Sequence, residues 1–204
     1  MATVSAKGTR LNRRGLETRQ TLLRVAVRCL AVGGPDVLSA NRVAREAGLT
    51  WGTVQHQFGD SDGLWAAVLD SVADRGPGLL PVPDNGVRLE ARVAAVVDRI
   101  WEALDKPSLR AVHNLRISLP HQRAELEQDY PRTAAALAAW DVKWRQALRS
   151  AFAGLPVDTE RLDRLHSFLP GAVRGLHEEQ YLSSLVDVAE ARRGLVEAIS
   201  AYLR

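Results

Sequence analysis

Apolar side chains recur three, four and seven residues apart along almost the whole chain, and that spacing suits one kind of secondary structure. Leu89, Val93, Val96, Val97, Ile100, Trp101 and Leu104 fall on a single stripe of a 3.6-residue helix. The same pattern returns at Leu22, Ala26, Cys29 and Leu30, and at Leu137, Trp140, Trp144, Leu148 and Phe152. It appears again at Leu162, Leu165, Leu169, Val173 and Leu176, and at Val188, Ala191, Leu195, Ile199 and Tyr202. No segment alternates as a half-buried strand does, and no internal repeat is present. The expected fold class is all-α, with about nine helices.

Glycine, proline and capping residues divide these stripes. Gly33-Gly34-Pro35 stops the first helix, Gly48 the second, and Gly154 with Pro156 a later long one. Ser39, Thr50, Asp60 or Ser61, and Asp158 stand where N-caps belong. Pro170-Gly171 inside the stripe from Leu162 to Leu176 predicts a kink. The strongest punctuation runs from Gly76 to Gly86. It predicts a linker at 76–86, between a small head at 15–75 and a larger body at 87–204, with a flexible basic arm at 1–14.

Charge supports that division. Residues 1–58 carry nine Lys and Arg against three acids, so they hold a surplus of six, and the remainder of the chain is left at −3. A basic head on a mildly acidic body implies a polyanion as the head's partner. Within the arm, Arg10, Arg13 and Arg14 are suited to lie against phosphate. One cysteine, Cys29, rules out an intramolecular disulfide and fits a reducing compartment. No apolar run reaches the ~18–20 residues of a membrane span. The basic N-terminus lacks the apolar region of a secretory signal. A cytoplasmic protein is expected.

The informative stretch is Ser39 to Leu64. Two short helices meet at Ala47-Gly48-Leu49-Thr50, the spacing of a helix-turn-helix. Val43, Ala44, Ala47, Leu49, Val54, Phe58 and Leu64 are its expected core. The second helix then presents Trp51, Thr53, Gln55 and His56 outward, where they can reach base edges, thymine methyls or phosphates in a major groove.

Val43-Ala44-Arg45-Glu46-Ala47-Gly48-Leu49-Thr50-Trp51-Gly52-Thr53-Val54-Gln55-His56-Gln57-Phe58, followed by Leu64, resembles the signature of the TetR family of transcriptional regulators. Arg19, Gly34 and Ser39 fit the same pattern upstream, and the match spans about residues 15–75. The resemblance implies a DNA-binding head whose contacts are Ser39, Thr50, Trp51, Thr53, Gln55 and His56, joined by Arg13 and Arg14 of the arm. It implies a palindromic operator, a homodimer and a small, largely apolar effector held in the body. Trp101, His113, Arg116, Trp140, Trp144, Phe168 and His177 are the candidate ligand residues. Leu169, Val173, Leu176, Leu195, Ile199 and Tyr202, on the last two helices, are the candidate dimer contacts.

Three positions depart from the pattern. The family's usual Tyr is Gln55, its usual Lys is Ser61, and Trp51 stands where a small or basic residue is frequent. The Tyr and Lys commonly hold phosphates, and Asp60 and Asp62 flank Ser61 with the wrong charge for that purpose. An alternative reading follows: a dimeric ligand- or partner-binding protein whose head has weak or no DNA affinity. Enzyme readings lack support. There is no phosphate-cradling glycine loop, no G-x-S-x-G and no H-E-x-x-H, and His166 and His177 have no third ligand at metal spacing. No catalysis, cofactor or metal is expected.

Overall fold

The helical periodicity is realised nearly end to end. The computed structural model describes residues 4–34, 36–74, 80 and 86–204. Among these are ten helices and no strand: α1 (Arg13–Val32), α2 (Ala40–Glu46), α3 (Trp51–Phe58), α4 (Ser61–Ala73), α5 (Leu89–Leu104), α6 (Pro107–Ser118), α7 (Arg123–Asp129), α8 (Pro131–Ala151), α9 (Thr159–Leu182) and α10 (Val188–Leu203). The helix beyond the expected nine is α7. It has seven residues and buries one side chain, Leu126, too few to leave a periodic trace. The 76–86 linker lies outside the described residues except for Leu80 and Gly86.

The helices pack into two compact units that do not follow chain order. One comprises Met1–Gly76 and Lys106–Trp140; the other comprises Pro77–Asp105 and Asp141–Arg204. A cut at 76–86 therefore misses α6, α7 and the first half of α8, which pack with the head. The cause is the length of α1. The helix runs 20 residues, and α6 packs with Ala111, Val112 and Leu115 along its inner stripe of Leu22, Val25, Ala26, Cys29 and Leu30. Asn114 of α6 donates through Nδ2 to the Leu30 carbonyl at 2.7 Å, satisfying a main-chain acceptor at the end of α1.

The second unit has its own core, in which Val93, Val97 and Ile100 of α5 meet Leu165, Leu169 and Val173 of α9 and Ile199 and Leu203 of α10. Here α9 continues as helix through Pro170. A proline has no N–H, so the carbonyl four residues earlier, on His166, loses its helical donor. The indole Nε1 of Trp144 donates to that carbonyl at 3.1 Å. The side chain of α8 replaces the missing main-chain bond.

Candidate nucleic-acid interface

The turn at 47–50 forms as the residues require. Ser39 Oγ accepts from the Arg42 N–H at 3.1 Å and begins α2. Gly48 lies at φ 65° with open space around its missing Cβ, so its backbone conformation, not crowding, is what calls for glycine. Thr50 Oγ1 accepts from the Thr53 N–H at 3.3 Å and begins α3. Val54, Gln57 and Phe58 turn inward. Gln55 and His56 are exposed, Thr53 is half-buried, and Trp51 is half-buried against the core of the first unit.

Eight residues are too few to hold a helix in water, and α3 depends on its neighbours. The carbonyls of its last four residues have no helical donors, and each is met by a different group. Gly59 N–H donates to Gln55 O at 2.8 Å, and Ala6 N–H donates to His56 O at 3.2 Å. Arg19 Nη1, from α1, donates to Gln57 O at 2.7 Å. Arg132 Nη1, from α8, donates to Phe58 O at 3.2 Å. The Arg19 guanidinium also stacks over the Phe58 ring, 4.3 Å from its centre, and Gln57 Nε2 reaches the Gly15 carbonyl at 3.3 Å.

Arg132 also changes the reading of the two aspartates. Asp60 caps α4, accepting from the Gly63 N–H at 2.9 Å, and its carboxylate pairs with Arg132. Asp62 is buried. Its carboxylate accepts from the main-chain N–H groups of Arg132 (2.9 Å) and Thr133 (2.8 Å) and from Arg132 Nε (3.1 Å). Neither is the unopposed surface charge that the sequence pattern implies; both are bound to the start of α8. Gly63 keeps this junction open, because a Cβ there would collide with the Phe58 carbonyl and the Arg132 guanidinium.

The arm departs from expectation as well. Residues 4–10 are not an unstructured tail. They close into a small hairpin through a Val4–Arg10 bridge, with Ser5 N–H donating to Thr9 O at 2.8 Å and Ser5 itself buried. Arg13 and Arg14 lie in the first turn of α1, which Asn12 caps by accepting from the Gly15 N–H at 2.9 Å. Both arginines are exposed, and Arg13 is paired with Glu17 at 2.9 Å.

The candidate ligand residues divide between the units. His113, Arg116 and Trp140 belong to the first; Trp101, Trp144, Phe168 and His177 belong to the second. Within the second unit, the rings of Trp101 and His177 meet edge to face at 5.0 Å, and Arg192 stacks over Trp101 at 4.7 Å. His177 Nε2 lies 3.0 Å from an Asp105 carboxylate oxygen. Phe168 is exposed and packs on Tyr202 instead, with ring centres 5.9 Å apart.

The candidate dimer contacts need correction. Leu169, Val173 and Ile199 are buried within the subunit, where α9 and α10 close on α5, so they have no surface left for a second copy. Leu176, Leu195 and Tyr202 are half-buried beside them. The exposed apolar side chains of this region are Phe168, Tyr181, Leu182, Leu185 and Val186. Of the residues that organise the site, sequence reading finds the caps and the outward pair. It misses Arg132, Thr133 and Ala6, whose partners lie 50 to 74 positions away and leave no local pattern.

No family model matches the chain. Among curated proteins, it is similar to the HTH-type transcriptional regulator BetI of Burkholderia cenocepacia. The two are 29% identical over 180 residues, covering 74% of this chain and 91% of that protein. Among solved structures, it shares its fold with a TetR-family transcriptional regulator from Streptomyces coelicolor, with TM-score 0.66, 21% identity, and 92% of this chain and 80% of that one covered. It also shares it with NalD, described as the secondary repressor of the MexAB-OprM multidrug efflux pump in Pseudomonas aeruginosa, with TM-score 0.63, 18% identity, and 92% and 98% covered. The motif at 43–64, the ten-helix order and these likenesses agree: the chain has the fold of the TetR-family regulators and is similar in sequence to a transcriptional regulator.

Proposed function

We propose that this chain is a ligand-responsive, DNA-binding transcriptional regulator: a homodimeric repressor that leaves a palindromic operator when a small, largely apolar effector binds. The observation that carries the reading is α3 itself. It is fastened on its inner side and at its C-terminal end, while Gln55 and His56 remain exposed on its outer side. A rigid helix with free polar side chains suits the major groove, which admits one helix and offers donors and acceptors to such residues. Gln55, His56, Thr53 and the exposed edge of Trp51 are the base-side contacts in this reading. Ser39, Thr50, Arg13 and Arg14 are the phosphate-side contacts.

The likeness to BetI supports regulation, and the fold shared with NalD supports repression as the direction. The aromatic side chains of the second unit, Trp101 and Trp144 with His177, are the proposed effector contacts; a largely apolar site with few polar groups is the usual form of such pockets. An effector acts here only through its different affinity for the DNA-bound and released forms.

The test is a mobility-shift titration with DNA from around the chain's own coding region. The expected outcome is a selective shift and a footprint of two half-sites. Gln55→Ala with His56→Ala should abolish that selectivity while leaving the melting temperature within about 2 °C, as befits exposed positions. Absence of any selective shift from a folded dimer would overturn the reading and favour a ligand- or partner-binding protein, as the substitutions at Gln55 and Ser61 would then imply.

A further inference from the structure

We infer that the 4–10 hairpin is a second DNA-contacting element, in which Lys7 and Arg10 hold the phosphate backbone beside the C-terminal end of α3. The inference rests on the DNA-binding reading and adds a surface to it. The hairpin is too short to have a core, yet it is ordered by a specific set of bonds. Ser5 N–H donates to Thr9 O, Gly8 N–H donates to Ser5 O at 2.9 Å, and Thr9 N–H donates to Ser5 Oγ at 3.2 Å. A main-chain bond ties it to the rest of the unit, Ala6 N–H to His56 O, and ends on a residue whose side chain is proposed to face DNA. Ala6 also lies over the α3–α4 turn, with its Cβ 3.5 Å from where a Cβ on Gly59 would stand.

That turn carries Ser61, two residues beyond Gly59, and so lacks a cation of its own. The hairpin brings two: Lys7 at its tip and Arg10 at its base, both exposed. Arg10 also shares a shallow cleft with Arg13 at the start of α1, so the positive charge continues from the hairpin onto the helix. The aspartates that would oppose a phosphate here are engaged by Arg132. Cations fixed beside a groove-reading helix match the one chemistry that every DNA sequence presents, the backbone phosphate.

The experiment compares the full chain with a Lys7→Gln, Arg10→Gln variant on two probes, the fragment upstream of the coding region and a random-sequence duplex, across a salt series. Glutamine keeps the hairpin's main-chain bonds and removes only charge. Two phosphate contacts in each subunit, four in the bound dimer, predict that the slope of log affinity against log salt falls by about 3.6, with the footprint unchanged. Affinity at low salt should drop about tenfold or more on both probes. Adding Ser61→Lys to the variant should restore about half of the lost slope. An unchanged slope in the variant, with selective binding by the parent chain, would overturn the hairpin's role and leave the regulator reading intact. Lost affinity at an unchanged slope would reduce the hairpin to a brace for α3 and also overturn it. A parent chain that binds neither probe would defeat both readings.

Discussion

At Asp62, a carboxylate that charge counting sets against DNA is turned inward and surrounded by donors. Burial pushes its pKa up. Hydrogen bonds from Thr133 and Arg132 push harder in the other direction and hold it below the ordinary aspartate value. A group whose pKa is lower folded than unfolded stabilises the fold above its ordinary value, and the contribution disappears as pH falls through the folded one. Asp62→Asn should therefore cost about 1–2 kcal/mol at pH 7. The gap between parent and variant should close in acid, below about pH 4. Urea denaturation of both proteins at neutral and acid pH measures it, and a gap that does not change with pH would show that the charge contributes nothing. Nothing local in the sequence identifies this role, because the donors arrive from Arg132 and Thr133, 70 and 71 positions on.

Among the elements, α2, the turn and α3 are the most legible in sequence, since Ser39, Gly48 and Thr50 each act within three residues of themselves. The inner stripes are equally legible, because their period is local. What periodicity does not reveal is which stripe meets which: α6 joins the first unit although it follows the 76–86 break, and the stripe of α9 closes on α5 rather than on a second copy. The passage of α9 through Pro170 gives a prediction of its own. Trp144→Phe removes the indole donor to the His166 carbonyl and should cost about 1–2 kcal/mol. In a Pro170→Ala background the main chain regains its N–H, and the same change at Trp144 should cost markedly less. A double-mutant cycle read by thermal denaturation checks this; equal costs in both backgrounds would mean that the indole is not repairing the helix.

For the molecule as a whole, apolar side chains are left exposed at the end of α9 and after it: Tyr181, Leu182, Leu185 and Val186, with Leu185 93% exposed and Leu182 81%. Apolar side chains gathered at one place on a surface mark interaction sites more often than isolated ones do. If the proposed dimer forms there, Leu182→Glu with Leu185→Glu should yield a monomer by light scattering. Operator affinity should then fall by about 100-fold or more as the second half-site contact is lost. A variant that remains dimeric would move the interface elsewhere on α9 and α10.

The fastening of α3 has a consequence for genetics. The side chains proposed to touch DNA are few and occur in one short stretch, but the helix that carries them keeps its place through Arg19, Arg132 and the main chain of Ala6. A random screen for loss of operator binding should therefore return positions scattered across the first 132 residues. Some of the strongest should be arginines that never approach the DNA. Such alleles would be separable from contact alleles by temperature: cooling should restore function to a helix that has lost a fastening, whereas a missing contact stays missing at every temperature.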